Sequence, residues 1–312
     1  MQLDSTGQVQ SFTSSKKKIT IGNDQLKQLQ RRFALATVLI PFLGSVLAIG
    51  LLWRCGIGAV EVALLVSMYA LSIIGITVGF HRHFAHCAFK TNIAVRIILA
   101  ILGSMAAQGP VIHWVSNHRR HHQYSDQPGD PHSPHLYEGI RGLWHGHIGW
   151  MLNSEVTNAA VFAKDLLQDS GIAKVNRLYL TWVILGLAIP GVIGGVVTGT
   201  WMGAWQGFLW GGLVRIFLAH HVTWSINSIT HLYGSRTFDT SEQSTNNLWL
   251  AIPTFGEAWH NNHHAFPNSG KFGLQWWQID LGYWIIRTLE FAGLVWEVKT
   301  PTAGMIEAKK AA

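Results

Sequence analysis

The sequence predicts an all-α integral membrane protein: four transmembrane helices under a cytoplasmic helical cap that holds a histidine-rich metal site. Three observations predict it. Of 312 residues, 48% are hydrophobic and only 12% charged, against about 25% charged in an ordinary soluble domain, so this surface does not face water everywhere. Several uncharged runs are long enough to cross a bilayer. All 17 histidines fall between His81 and His264, and His118-Arg119-Arg120-His121-His122 has a near copy in His260-Asn261-Asn262-His263-His264.

Composition also bounds the function. A formal charge of +7 on a membrane protein reflects Lys and Arg kept on the cytoplasmic side, and no basic helix with interleaved aromatics points to nucleic acid. Cys55 and Cys87 flank the second apolar run at opposite ends, too far apart to bridge, so no disulfide framework is implied. The first thirty residues lack an apolar h-region and a cleavage site, which argues against a cleavable secretory signal. No Pro/Ser/Gly linker divides the middle. The reading is one membrane domain over residues 31–299, between a flexible cytoplasmic N-terminus (1–30) and a flexible tail (300–312).

Taken in order, Phe33 to Trp53 is uncharged and long enough to cross about 30 Å of hydrocarbon. Ile57 to Phe80 returns after a tight hairpin at Arg54 to Gly56. Lys16, Lys17, Lys18, Lys27, Arg31 and Arg32 precede the first span, against Arg54 alone between the two. The positive-inside rule therefore places the N-terminus, and the chain after Phe80, in the cytoplasm. Ile93 to Trp114 is apolar but holds Arg96, Gln108, Gly109 and Pro110. Crossing would carry His118 away from His81, so this stretch is read as re-entrant or interfacial, with protein rather than lipid around Gly109-Pro110. Ser116 to Arg177 then forms the cap. Leu178 to Thr200 crosses outward and Gly203 to Thr230 returns. The second of these carries a small-residue ridge, Gly203-x3-Gly207-x3-Gly211, suited to close helix packing. It also carries Arg215, a costly charge that needs a partner or a polar cavity inside the bundle. Leu281 to Trp296 reads as interfacial. The count is four crossings, with both termini and every candidate ligand cytoplasmic.

On an α-helix, positions i, i+3 and i+4 share a face, so each H-x-x-H-H run is expected to aim three imidazoles at one point. Two such runs about 140 residues apart imply a shared target, most simply metal, which neutral imidazole binds well. His81 and His86 lie about 140° apart on an α-helix, a spacing for ligands of two different ions rather than a chelate. His83 points roughly 200° from His81 and is left out. The candidates are His81, His86, His118, His121, His122, His231, His260, His263 and His264, with Asn227 one turn before His231. A structural zinc takes four ligands, so this inventory implies two ions with open positions. A single H-x-x-H-H is as well explained by a solvated helix face; three clusters in a membrane chain are not. The remaining histidines, among them His132 and His147 in the cap and His113, His220 and His221 near the bilayer boundary, receive no role.

The stretch from Gly79 to Pro301 resembles the membrane fatty-acid desaturase family, the histidine-box enzymes, and within it the Δ9 acyl-CoA/acyl-lipid branch. The resemblance rests on Gly79-Phe80-His81-Arg82 through His86, Asn117-His118-Arg119-Arg120-His121-His122, Asp130-Pro131-His132, His147-Ile148-Gly149-Trp150, Asn227-Ser228-Ile229-Thr230-His231 and Gly256-Glu257 through Pro267. It implies an O2-dependent desaturase that places a cis double bond in a saturated acyl chain. The nine histidines would hold two irons, with Asn227 holding a water on one of them. Gln108, Trp114, Thr223 and Trp224 match the residues that bend the family's acyl tunnel beside the metals.

The chemistry fits the residues. An alkyl C–H bond has no acid or base handle, so an iron-based oxidant is needed to break it, and a kinked apolar slot fixes which carbons approach. After Gly149-Trp150 the acyl-CoA enzymes carry a basic pair where this chain has Asn153-Ser154. Acyl-lipid, acyl-CoA and acyl-carrier-protein substrates therefore all stay open. Electrons would come from a separate acidic donor, ferredoxin or cytochrome b5, steered by a basic cap. A related membrane di-iron hydroxylase or acetylenase would keep the same ligands. A metal transporter would instead place ionisable ligands at mid-depth in several helices, where here only Arg215 lies deep.

Overall fold

A computed structural model describes residues 19–153 and 155–310. Helix α1 runs over Asp24–Cys55, and the Asn23 side chain caps it by accepting from Leu26 N at 3.0 Å. It starts ahead of the expected Phe33. Thr20–Ile21 pairs antiparallel with Val156–Thr157, which ties the chain before α1 to the cap. Residues 19–30, expected to be flexible, are therefore ordered by pairing and capping that composition does not register; residues 1–18 lie outside the described residues.

Helix α2 (Ala59–Ala85) begins as α-helix over Ala59–Ile74 and finishes as π-helix over Gly75–Ala85, past the expected end at Phe80. Helix α3 (Ile93–Met105) has 13 residues, about 20 Å of rise, short of the roughly 30 Å of a bilayer core. The chain turns back at once, with Ala107 and Gly109 at φ 58° and 103°, into α4 (Val111–Tyr124). The short helix and the turn back bring His118 to His81, with ring centroids 4.3 Å apart. Protein satisfies the broken turn: Arg215 Nη1 donates to Met105 O at 2.7 Å, His220 Nε2 to Ala106 O at 2.9 Å, and Gly109 N donates to the Tyr179 hydroxyl at 3.1 Å. Such bonds are what an irregular backbone at membrane depth requires.

Helix α5 (Tyr179–Thr198) is followed by α6, residues 201–231, which is α-helical over Trp201–Gly207, π over Phe208–Val214, α again over Arg215–Ser228 and 3-10 to His231. The glycine ridge meets α5 closely: a Cβ on Gly207 would lie 2.3 Å from Pro190 O. Among the described residues, α1, α2 and α5 are the helices long and apolar enough to cross a bilayer. Arg215 is fully buried and finds no carboxylate among the described residues. It donates instead to Gly211 O, Ser72 Oγ, Met105 O and Gly186 O at 2.6–3.0 Å. Four neutral acceptors from α2, α3, α5 and α6 thus spread its charge, and the side chain staples the bundle.

The largest core cluster includes Phe80, Phe84, Leu99, Ile112 and Val115. It locks the π segment of α2 against α3 and α4 and so fixes the first two histidine clusters relative to each other. Beyond α6 come α7 (His260–Ala265), α8 (Leu281–Phe291) and α9 (Ala303–Lys309). Helix α8 buries Ile286 and exposes Trp284 and Phe291, the two-faced pattern of an interfacial helix. The segment expected to be a loose tail is instead helical: Ile306 packs on Phe238 and Phe266, and Lys309 Nζ donates to Ala265 O at 2.7 Å. A helix this short draws its order from docking, which composition alone does not reveal. Cys55 and Cys87 are both free and exposed.

Candidate metal centre

The nine histidines converge from four places, but not in the grouping the spacing implied. His81, His86, His118, His122 and His263 form one group and His121, His231, His260 and His264 a second, each with one nitrogen per ring within 4.8 Å of all the others. Each H-x-x-H-H run is split: its first and last histidines serve one group and its middle histidine the other. Helix geometry gives the reason. Positions i and i+4 are about 40° apart, whereas i+3 lies about 100° from i+4, enough to aim at a neighbouring centre. The rings of His122 and His264 stack at 4.5 Å where the groups touch.

His81 and His86 also depart from expectation, since they share a group. The cause is the π-helical end of α2, where His86 N donates to His81 O at 3.1 Å. An i→i+5 bond of this kind brings residues five apart nearly into line. His83 stays outside both groups, with Nδ1 donating to Phe89 O at 3.3 Å.

Carboxylates hold the far side of the rings. His121 Nδ1 meets Asp130 at 2.9 Å, His231 Nδ1 meets Asp126 at 2.8 Å, and His81 Nδ1 meets Glu257. Glu242 lies 3.7 Å from His264 Nδ1. Asp130, Asp126 and Glu257 keep the proton of their rings on Nδ1 and leave Nε2 bare, whereas Glu242 stands beyond hydrogen-bond distance. Glu257 is in turn held by Thr77 and by the fully buried Arg82, which also pairs with Asp280. Sequence reasoning gave these four carboxylates no role. The available signal was their proximity, Asp126 and Asp130 just after one histidine run and Glu257 just before the other.

The ring nitrogens fit a cation. His86 and His118 bring Nε2 atoms to 2.7 Å, His81 and His263 to 3.0 Å, and His263 and His122 to 2.9 Å. Lone pairs so crowded repel unless a positive ion lies among them. His121 Nε2 is buried with no partner. Burial holds the imidazoles of His86, His118, His122, His260, His263 and His264 well below the usual value, and neighbouring imidazoles push them further. They are neutral at pH 7, the ligating form. For His121 burial also opposes charge, but Asp130 outweighs it and raises the pKa. All-imidazole sets suit iron, zinc, copper or nickel.

A cavity of about 290 Å³ reaches these groups, lined by all four expected tunnel residues, Gln108, Trp114, Thr223 and Trp224, and by His118 and Asn227. Gln108 Nε2 donates to Thr223 Oγ1 at 2.9 Å and its Oε1 accepts from Trp114 Nε1 at 3.3 Å, while Trp114 stacks on His118 at 5.1 Å. Asn227 also lines a second, smaller cavity with His121 and His260. Of the histidines without an assigned role, His132 packs on His121 and His147 pairs with His221 at 3.0 Å.

Membrane-length helices, two imidazole cages and an apolar slot beside them define a membrane metalloprotein with room for an apolar ligand next to its metal groups. The family described as Fatty acid desaturase matches residues 58–298, and the chain belongs to that family. It is 53% identical over 311 residues, 97% of each chain, to "Hex-5-enoyl-[acyl-carrier protein] acetylenase" of Moorena producens (strain JHB). It is 36% identical to "Delta-9 acyl-lipid desaturase 1" of Arabidopsis thaliana, over 92% of this chain and 89% of the relative. It is also 38% identical to "Acyl-CoA C20 Delta5-desaturase" of Anemone leveillei, over 76% and 73%.

Proposed function

We propose that this chain removes two hydrogens from neighbouring carbons of an acyl chain, using O2 at a pair of irons. The observation that supports this most directly is the meeting of two imidazole groups with a cavity walled by Trp114, Thr223 and Trp224. Two bound irons, given O2 and two electrons, supply an oxidant strong enough for an alkyl C–H bond. The chain's residues do the rest. His81, His86, His118, His122 and His263 hold one ion; His121, His231, His260 and His264 hold the other, with Asn227 completing that shell through a water. Asp126, Asp130 and Glu257 fix the tautomers of His231, His121 and His81. Gln108, tied to both Trp114 and Thr223, keeps the bend of the slot rigid, so only certain carbons come within reach.

Starting from a single bond the product is a cis alkene; starting from an alkene it is an alkyne. The acetylenase reading is supported by the relative that matches at 53% over nearly the whole chain. Relatives at 36–38% are named for position 9 and for position 5, so the family alone does not carry the Δ9 reading. An acyl-carrier-protein substrate is supported by the same 53% relative and by Asn153-Ser154 standing where the acyl-CoA enzymes carry a basic pair. Four crossings, with both termini and the metal groups cytoplasmic, follow from the flanking Lys and Arg if α6 is counted as the fourth. A separate acidic donor, ferredoxin or cytochrome b5, suits the aqueous side. There an open polar basin of about 800 Å³ reaches His86, His122 and His264 past Arg119, Lys309 and Lys310, alongside Asp239 and Glu242.

Mass spectrometry of acyl products from host membranes carrying the protein tests the reading. A product lighter by two hydrogens is expected, and one heavier by an oxygen would make the enzyme a hydroxylase. His121→Ala and His263→Ala should each abolish product with the protein still in the membrane; retained product would contradict their place as ligands.

A further inference from the structure

We infer that Leu248–Phe255 lies in the bilayer leaflet nearest the metal groups, with Leu248, Trp249 and Ile252 against lipid acyl tails. The inference goes beyond the acyl chemistry and rests only on α2 as a membrane span.

The segment belongs to a stretch, Gln243 to Gly256, that holds no charged residue. It opens as one helical turn, Leu248–Ala251, capped by the Asn247 side chain, which accepts from Leu250 N at 3.2 Å. Trp249 is 87% exposed, and Leu248 and Ile252 are more than half exposed. So much apolar surface in one short segment marks a contact with something other than water.

A single bond sets the depth of the segment: the Tyr69 hydroxyl donates to Pro253 O at 2.7 Å. Tyr69 lies ten residues into α2, about 15 Å of rise from Ala59 where a bilayer core is roughly 30 Å thick. Val62, Val66 and Leu71 bracket it along α2, and all three are exposed apolar side chains. Tyr69 therefore stands within the lipid-facing length of the span. The loop it holds stands at the same level.

The backbone agrees with that placement. Lipid offers no hydrogen bonds, so irregular chain survives beside it only where protein pairs the polar groups. The carbonyls of Ile252, Pro253, Thr254 and Phe255 all accept, from Phe255 N, the Tyr69 hydroxyl, Glu257 N and Gly282 N, at 2.7–3.3 Å. Thr254 N and its hydroxyl both turn back to Leu250 O, at 3.0 and 2.6 Å, and Pro253 has no N–H to satisfy. Polar backbone thus faces protein while the large apolar side chains face out. The inner side of the segment serves the metal groups: Thr254 walls the small cavity with Ile73, His121 and His260, and Glu257, three residues on, holds His81. One short segment faces lipid on one side and the cavity beside the metal groups on the other.

The test places the full-length protein, with Cys55→Ser and Cys87→Ser, in phosphatidylcholine vesicles and attaches a nitroxide at Trp249→Cys or Ile252→Cys. Val66→Cys on α2 is the lipid reference, and Ser241→Cys, in the polar basin, is the aqueous one. Labels at both loop positions should collide with O2 as the Val66→Cys label does, and with a water-soluble nickel chelate at least about tenfold less than the Ser241→Cys label. Chelate access equal to that at Ser241→Cys would overturn the inference. Exclusion of both reagents would also overturn it, since a protein partner or a second copy would then cover this face. Chelate access at Val66→Cys itself would overturn the span on which the inference rests, and the inference with it. A second measurement needs no substitution. A phospholipid with a photoreactive diazirine on its acyl chain, irradiated with the wild-type protein, should leave adducts on Leu248, Trp249 or Ile252 in peptide mass spectra; adducts on α2 with none on Leu248–Phe255 would equally overturn it.

Discussion

At the scale of single residues, the metal groups depend on where each imidazole keeps its proton. A ring that donates through Nδ1 to a carboxylate presents a bare Nε2, and Asp130 does this for His121 at 2.9 Å. Asp130 also accepts from His132 N and Asp126 N at 3.0 and 2.9 Å, so it is itself held in place. Asp130→Asn preserves the shape but can present its NH2 to Nδ1, which lets the proton move to Nε2. The expected outcome is a loss of about 10–100-fold in metal affinity, read as iron per protein after dialysis against a graded chelator. Unchanged affinity would mean that the carboxylate serves only the cap.

At the scale of elements, the π-helical end of α2 decides which centre His86 joins. In an α-helix the partner of His81 on the same face would be residue 85, since positions four apart are about 40° from alignment. In the π segment it is His86, five residues on, carried by the bond from His86 N to His81 O. The double variant Ala85→His with His86→Ala separates the two geometries. It restores the spacing of a regular helix, yet should fail to recover the iron lost in His86→Ala alone. Recovery of full metal content would show that the segment relaxes to α-helix. The π turn also places Gly75 against α3, where a Cβ would fall 2.2 Å from Gly103 N. The element that sets the ligand register therefore also sets a close crossing of α2 and α3.

At the scale of the whole molecule, the two cysteines offer a test of orientation. Cys55 and Cys87 are free and exposed at opposite ends of α2. In the proposed topology Cys55 faces the far side of the membrane and Cys87 the cytoplasm. A membrane-impermeant maleimide applied to intact cells should label Cys55, with Cys87 reacting only after permeabilisation; Cys55→Ser should then remove the label from intact cells. The reverse pattern would invert the protein and put both metal groups outside.

The sequence by itself determined the family and the presence of membrane-length helices, and it singled out the nine histidines that the structure gathers into two groups, because hydrophobic length and repeated ligand types are local properties that survive without coordinates. It also carried the turn back between Met105 and Val111, since His81 and His118 could not otherwise meet. Only the tertiary structure decided how the nine rings divide. A 3.6-residue period assumed for every helix cannot anticipate a π turn at Gly75–Ala85, and the 60° by which position i+3 trails position i becomes a different destination only when two centres lie side by side. The carboxylates behind the rings, the docked helix at Ala303–Lys309 and the acceptors of Arg215 were likewise decided by packing. Each joins residues far apart in the chain, and sequence spacing holds no measure of such distances.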